Sequence, residues 1–360
     1  MHVRGKLTAF TMVVFILTRF MNTVPQWRLI FVRCKLLLFV IEMSAACALA
    51  SLQAAQPAQP YSQVDALGLR AATASQLKHA LETHDYVAAE KSLMGEISRD
   101  PHSPQAARLL QFLGGVYFLD HDAVGASVAW NKARAIAPLP PTLAFSLAMA
   151  YIRVGHSDWA RKELETLAGE DSTNALYPYW LGRLDYDADQ YDHAILQFQK
   201  AIHLAPDMAQ AYNNLGLCYH RQNRNGLAAA NYQKAIDLNL KSGHPDAWAH
   251  LNLAITERSL NELSEAEAHL RSAIRLDPNL APAHFQLGNI LESNRQTKDA
   301  IEQFQAAARL DPGYAEPHYA LARIYRQLGD TNDSKQELKS YLWIHSHPKT
   351  PDPAIAPSHP

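Results

Sequence analysis

Histidine is the residue type whose spacing in this chain most suggests a chemical site. His250, His284 and His318 follow one another at intervals of 34 residues. Imidazole nitrogen is a common zinc ligand, so a row of equivalent histidines would indicate a metal site if the side chains met on one ion at about 2 Å. Whether they meet depends on the elements that carry them.

Other chemical signatures are absent from the sequence. It contains no phosphate-binding glycine loop followed by lysine, no metalloprotease His-Glu pair and no nucleophile elbow. We therefore expect no catalytic residue, no cofactor and no metal, and a protein that is not an enzyme.

The histidine row belongs to a pattern that recurs every 34 residues. In the repeat that begins at Ala281, small residues occupy the eighth and twentieth places (Gly288 and Ala300), a large one occupies the twenty-fourth (Phe304), and Pro312 closes the repeat. Related repeats begin at Arg70, Ala107, Pro141, Ala175, Ala209, Ala247, Ala281 and Ala315. The first is weaker and keeps Tyr86, Ala89, Leu93 and Pro101, and the closing proline is missing from the repeats that begin at Pro141, Ala209 and Ala315. This period predicts helix pairs that stack into a solenoid, because one pair cannot bury its apolar face alone.

Glycine at the eighth place predicts a close approach between the two helices of a repeat. Gly182, Gly216 and Gly288 each cost about 1 kcal/mol of helix stability relative to alanine, so we expect a packing reason for them. The Asp-Pro pairs at 277–278 and 311–312 predict the end of a second helix, because the residue before proline avoids the helical region.

The pattern resembles that of the tetratricopeptide repeat family, most closely over residues 211–239 and 283–312. The resemblance implies an all-α fold, a right-handed superhelical solenoid of about eight helix-turn-helix units over residues 70–348. It also implies a protein-protein interaction scaffold that binds an extended peptide or protein segment in a concave groove. The second, fifth, sixth, ninth, twelfth and thirteenth places of each first helix would line that groove.

These places predict a peptide-binding surface of amides, aromatic rings and guanidinium groups. Its residues are Tyr179, Trp180, Arg183, Asn213, Asn214, Arg221, Asn252, Gln286, Asn289, Tyr319 and Arg323. An amide both donates and accepts, so it can bind the backbone of an extended peptide whatever its side chains. Aromatic rings add apolar anchors, and arginine adds carboxylate recognition. The alternative is that these are ordinary solvated residues on a helix face.

The same arrangement argues against a metal site at the histidines. Neighbouring helix axes lie about 8–10 Å apart, and we expect a second helix to stand between equivalent first helices. The three side chains could then not converge on one ion, and packing of the rings between repeats would explain the row.

The distribution of charged residues along the sequence narrows the classes of macromolecule that this protein is expected to bind. The first 50 residues hold six of the 33 basic side chains and one of the 35 acidic ones, so the remaining chain has a net charge of −7. An acidic array without a basic stripe is a poor phosphate-backbone binder, and we expect no nucleic-acid partner. The alternative to a peptide-binding scaffold is a non-catalytic accessory or assembly subunit of an envelope enzyme or complex.

The N-terminus resembles an export signal. Residues 36–50 form an apolar stretch that follows Arg33 and Lys35 and ends in small residues. We expect residues 1–52 to be a leader, either a signal peptide or a membrane anchor, followed by a linker at 53–69. The protein would then be periplasmic or extracellular, and it would contact a membrane through the leader alone. A cytosolic chain is the remaining alternative.

Two smaller features complete the expectations. The proline-rich residues 349–360 are predicted to be a disordered or polyproline-like tail. Cys218 lies between Leu217 and Tyr219 in a first helix and is predicted to be a small buried hydrophobe.

Overall fold

The computed structural model describes residues 64–347, and sixteen α-helices lie between Ala71 and Ser346 in this part of the chain. The helices are α1 Ala71–Glu82, α2 Tyr86–Ile97, α3 Pro104–Leu119, α4 Ala123–Ile136, α5 Pro141–Arg153, α6 Ser157–Glu170, α7 Leu176–Asp187, α8 Tyr191–Leu204, α9 Ala209–Arg221, α10 Asn225–Ser242, α11 Ala247–Ser259, α12 Leu263–Leu276, α13 Ala281–Ser293, α14 Thr297–Leu310, α15 Ala315–Leu328 and α16 Thr331–Ser346. No strand occurs among the described residues. The predicted all-α solenoid is confirmed.

The chain divides into two compact bodies, residues 1–92 and 93–360. The described part of the first body holds α1 and the start of α2. Its buried residues include Val64 and Leu67, so residues 64–69, predicted as the end of a linker, contribute to this core. Lys78 pairs with Asp65 at 2.7 Å. The predicted leader, the first part of the linker and the predicted tail lie outside the described residues.

The second body is a stack of helix pairs. Each first helix from α3 to α15 packs against the second helix that follows it, and each second helix from α4 to α14 packs against the next first helix. First helices also touch one another directly, α7 with α9, α9 with α11 and α11 with α13. From the sequence we expect a second helix to separate equivalent first helices, and for these three pairs that expectation is wrong. No helix within residues 64–347 has the length and apolar character needed to cross a membrane.

Glycine at the eighth place makes room for an aromatic ring at the twenty-fourth. A Cβ atom on Gly216 would lie 2.7 Å from the Tyr232 ring, and one on Gly288 would lie 2.6 Å from the Phe304 ring. The two residues of each pair stand on the two helices of one repeat. The close approach predicted from the glycines is confirmed, and a ring against helix backbone is what requires it.

The turn between the two helices of every repeat contains a residue in the left-handed region. It stands at the fifteenth place, with φ between 56° and 87°. The residues are His84, His121, Gly155, Asp189, Asn223, Asn261, Arg295 and Gly329. Left-handed backbone ends a helix by satisfying its last carbonyl groups. All eight predicted repeats share this turn.

Side-chain hydrogen bonds join successive repeats at fixed places. The twenty-fifth residue of one repeat donates an amide N–H to a tyrosine hydroxyl at the eleventh place of the next. Examples are Asn131 to Tyr151 at 2.7 Å and Gln305 to Tyr325 at 2.9 Å. Cys218, at the tenth place of its own repeat, is fully buried, as predicted. Burial raises the pKa of its thiol to about 12.

Candidate peptide-binding face

First helices α7, α9, α11, α13 and α15 of the second body carry every residue predicted to bind a ligand. Side chains at the fifth and sixth places link these helices across repeats. Asn214 Nδ2 donates to the Tyr179 hydroxyl at 3.1 Å, and Asn252 Nδ2 donates to Asn213 Oδ1 at 3.2 Å. Hydrogen bonds of this kind fix the spacing of neighbouring first helices.

Three of these four residues lie deep in the wall of the face. Tyr179 is 6% exposed, Asn213 is 3% exposed and Asn214 is 4% exposed, whereas Asn252 is half-buried. Buried amides need hydrogen-bond partners, and here Asn214 finds one in the Tyr179 hydroxyl and Asn213 finds one in the Asn252 amide. The structure therefore gives these amides a supporting position, with Asn252 the one that reaches the surface.

The series of links ends at Gln286. This residue holds the sixth place of its repeat, like Asn214 and Asn252, but the fifth place of the preceding repeat is Leu251, which has no polar side-chain atom. Gln286 Oε1 is buried and accepts no hydrogen bond. Asn289, one turn further along α13, is half-buried.

Each predicted arginine is held by a neighbouring side chain. The Arg183 guanidinium lies 5.7 Å from the centre of the Trp180 ring. Arg221 Nε donates to the Tyr186 hydroxyl at 3.1 Å. A guanidinium held in this way loses little freedom when it binds an anion.

Arg323 combines an ion pair with an unused donor. It pairs with Glu292 of the preceding first helix, while its Nε is buried and donates no hydrogen bond. Together with Gln286 Oε1, this leaves one donor and one acceptor without partners on α13 and α15. Buried polar groups without partners cost about 1–3 kcal/mol each, so a ligand that satisfied them would gain that much.

Apolar side chains stand at the ninth place of three first helices and form a row that is interrupted by Arg183 on α7 and that the sequence reasoning missed. Met149, Leu217 and Ile255 stand at this place on α5, α9 and α11, and all three are half-buried. Half-buried Trp180 packs edge-on against Tyr179 with ring centres 5.6 Å apart. Tyr319 is 53% exposed and lies 5.2 Å from the Tyr341 ring. The signal for this row was the same 34-residue period, read for aliphatic rather than polar residues.

The histidine row joins the two helices within each repeat. His284 Nδ1 lies 2.8 Å from Gln303 Oε1, and His318 Nδ1 lies 2.6 Å from Glu337 Oε2. The third pair, His250 and His269, is separated by the same 19 residues. His284 also contacts the preceding repeat, because its Nε2 lies 3.1 Å from the Pro278 carbonyl oxygen. The rings therefore bond within their own repeats, and at His284 the predicted contact between repeats is present as well. Residues 64–347 contain no group of three His, Cys, Asp or Glu side chains that could hold a metal.

His250 and His269 belong to a buried cluster with Glu257. The two Nδ1 atoms are 3.0 Å apart, and His269 Nε2 lies 3.5 Å from Glu257 Oε1. Burial, with Glu262 and Glu265 nearby, raises the pKa of Glu257 to about 7. Burial, followed by His269 and Arg275, lowers the pKa of His250 to about 4. Both shifts favour the uncharged form of the group concerned.

Four family models described as tetratricopeptide repeats match the chain, at residues 182–223, 207–279, 269–302 and 291–342. This chain is a tetratricopeptide repeat protein. The family supports a general role as a protein-interaction scaffold.

A curated relative and several solved structures resemble this tetratricopeptide repeat protein. The peroxisomal targeting signal receptor of Candida glabrata is 28% identical over 121 residues, which are 34% of this chain and 20% of the receptor. The chain thus spans about a fifth of that relative's length.

Among solved structures, a tetratricopeptide repeat protein from Parabacteroides merdae is 17% identical, with a TM-score of 0.55 over 79% of this chain and 100% of the other. PilW, a type IV pilus biogenesis factor, is 22% identical, with a TM-score of 0.52 over 58% of this chain and 95% of the other. These likenesses show the fold.

Proposed function

We propose that this tetratricopeptide repeat protein is a non-catalytic scaffold that binds an extended peptide segment along the first helices α7 to α15. The observation that supports this best is a set of half-buried apolar side chains, with Trp180 at the sixth place of α7 and Leu217 and Ile255 at the ninth place of α9 and α11. The helices that carry them are joined by hydrogen bonds from Asn214 and Asn252. A rigid apolar strip with fixed polar groups beside it suits an extended chain, because binding then costs little ordering of the protein.

The polar groups beside the strip match the needs of a peptide backbone. Each peptide unit offers one N–H donor and one C=O acceptor. Asn252 and Asn289 are half-buried amides, and Gln286 Oε1 and Arg323 Nε lack partners. The ligand would therefore be recognised through its main chain as well as through apolar side chains.

Two further elements of the proposal rest on other grounds. A curated relative is a receptor for a targeting signal, which is consistent with recognition of a short segment. Export through residues 1–52, with the array meeting its partner outside the cytoplasm, also belongs to the proposal.

Panning a display library of random peptides on the full chain would test this function. The face variant is Leu217→Lys/Ile255→Lys, which places two charges in the apolar row. The control is Leu196→Lys/Leu227→Lys on second helices α8 and α10, where the wild-type leucines are 63% and 42% exposed. Circular dichroism of all three proteins would show whether helix content is preserved.

We expect enriched peptides to bind wild type and control alike and to bind the face variant at least about tenfold more weakly, a loss of about 1.4 kcal/mol. If the enriched peptides bound the face variant and the control variant equally well, the first-helix face would not be their binding site. Loss of binding in the control alone would favour the second helices and the alternative role, an accessory or assembly subunit with a broad interface.

A further inference from the structure

Helix α16 presents an apolar surface that its counterparts bury. Second helices α4 to α14 each lie between their own first helix and the next one, whereas α16 packs against α15 and is the last helix of the described chain. Leu338, at the twenty-fourth place, is 41% exposed. The residues at this place in the four preceding repeats are at most 1% exposed. Next to it, Leu342 is 56% exposed and Trp343 is 62% exposed.

This surface is not built to receive another repeat of the same kind. Alanine holds the twenty-seventh place in the four preceding repeats, where it is fully buried and lets the next first helix approach. Tyr341 stands at that place in α16. Its ring would prevent the same approach, whether the incoming helix belonged to this chain or to a second copy stacked end to end. An occupant of different shape is required.

The Tyr341 and Trp343 rings of α16 are held in place by neighbouring rings, and Trp343 is the one of the two that is largely exposed. Tyr341 lies 5.2 Å from the Tyr319 ring and stacks on His345 at 5.7 Å. Trp343 stacks on His347 at 5.2 Å, with an angle of 19° between the rings. Ordered aromatic surfaces are the sites at which polyproline segments dock, since such segments lose little entropy on binding.

The chain supplies a segment of this type directly after His347. Residues 348–360 place an apolar residue at every third position, and these are Pro348, Pro351, Ala354, Pro357 and Pro360. A polyproline helix has three residues per turn, so these five residues would share one side of it. At about 3.1 Å per residue the segment is long enough to turn back along α16, whose residues rise about 1.5 Å each.

We propose that residues 348–360 lie on the exposed surface of α16 as a polyproline segment and cover that end of the array within the same chain. The apolar side of the segment contacts Leu342 and Trp343. The segment carries one charge of each sign, Lys349 and Asp352, and α16 carries two of each sign. Asp352 is opposite in charge to Lys335 and Lys339 of α16. Covalent attachment keeps the local concentration of the segment high, so even weak contacts hold it in place.

A photo-cross-linking amino acid at position 342 of the full chain tests the proposal. An equal mixture of chains with light and heavy nitrogen distinguishes cross-links within a chain from those between chains. The control places the same amino acid at Leu196 of α8, which is also an exposed leucine at 63%. We expect cross-links from position 342 to residues 351–357 of the same chain, and no such cross-links from position 196.

A second variant separates docking from mere proximity. Pro351→Ser/Pro357→Ser keeps the length and attachment of the tail but removes its polyproline preference, so cross-links to the tail should be lost. Cross-links that persist in this variant would overturn the proposal, as would cross-links between chains or the absence of tail cross-links in wild type. Cross-links between chains would assign the surface to a second copy.

Discussion

Gly182 lies beneath the ring of Phe198, so closely that a Cβ atom on residue 182 would be 2.9 Å from Phe198 Cε1. The same rule holds throughout the second body. Where the twenty-fourth place is aromatic, the eighth is glycine, and where the twenty-fourth place is leucine, as in Leu164 and Leu270, the eighth is alanine. The two places are therefore one packing unit, in which a smaller partner on one helix compensates for a larger one on the other.

Replacement of this glycine should destabilise the array. We expect Gly182→Ala to cost about 1–3 kcal/mol through overpacking, despite the better helix propensity of alanine. The double variant Gly182→Ala/Phe198→Leu reproduces the pair found at Ala148 and Leu164 and should cost less than the sum of its single changes. Urea unfolding followed by circular dichroism measures all three.

Gly115→Ala is the matched control, because a Cβ atom there meets nothing within 4 Å. This substitution lies inside α3 and should raise the free energy of unfolding by about 0.5–1 kcal/mol. If Gly182→Ala stabilised by a similar amount, the ring of Phe198 would have to move freely, and the packing rule would fail.

The left-handed turn at Arg295 stores a small strain. Its φ is 62°, a conformation that costs a residue with a side chain about 1–2 kcal/mol and costs glycine almost nothing. We expect Arg295→Gly to raise the free energy of unfolding by up to about 1 kcal/mol. Glu302→Gly, in the middle of α14, should lower it by about 1 kcal/mol. If Arg295→Gly and Glu302→Gly lowered the free energy of unfolding by the same amount, the turn at position 295 would have to relax to another backbone conformation.

The buried carboxyl group of Glu257 should make stability depend on pH. Its pKa rises from an ordinary 4.5 to about 7 on folding, so the native state binds the proton more tightly than the unfolded state. The stabilisation from protonation is complete below pH 4.5 and is lost as pH rises through 7. At pH 8, Glu257→Gln should therefore be more stable than wild type by about 1–3 kcal/mol, and at pH 5 the two should differ little.

Urea midpoints at pH 5, 6, 7 and 8 would measure this difference. Glu302→Gln, at an exposed position, serves as the control and should track wild type at every pH. A difference between Glu257→Gln and wild type that stays constant with pH would mean that Glu257 remains ionised in the folded protein.

Equivalent amides on neighbouring first helices should respond to mutation with opposite signs. Asn252→Leu removes the donor to Asn213 Oδ1, which is buried, and should cost about 1–3 kcal/mol. Gln286→Leu removes a buried acceptor that has no partner, so it should be neutral or stabilising by about 1 kcal/mol. Thermal unfolding of both variants measures these two changes in stability. A large loss in Gln286→Leu would show that its amide is bonded in solution.

The repeat made the fold and its internal packing predictable. Small residues at the eighth and twentieth places, with a large residue four places later, predicted the helix pairs and the close contact at Gly182. The left-handed residue at the fifteenth place escaped prediction because five different residue types occupy it across the eight repeats. There the conformation comes from the geometry of the turn, and no single residue type marks it.

Only the tertiary structure decided what the side chains on the first helices do. Periodicity placed Asn213, Asn214 and Asn252 on one predicted face, but it contained no measure of the distance between neighbouring first helices. Because those helices touch, the amides reach one another and Tyr179. The predicted surface of amides, aromatic rings and guanidinium groups therefore becomes a wall of paired amides beside apolar side chains. Local spacing determines which helix face a residue occupies, whereas the contact between repeats determines whether its polar atoms remain unpaired.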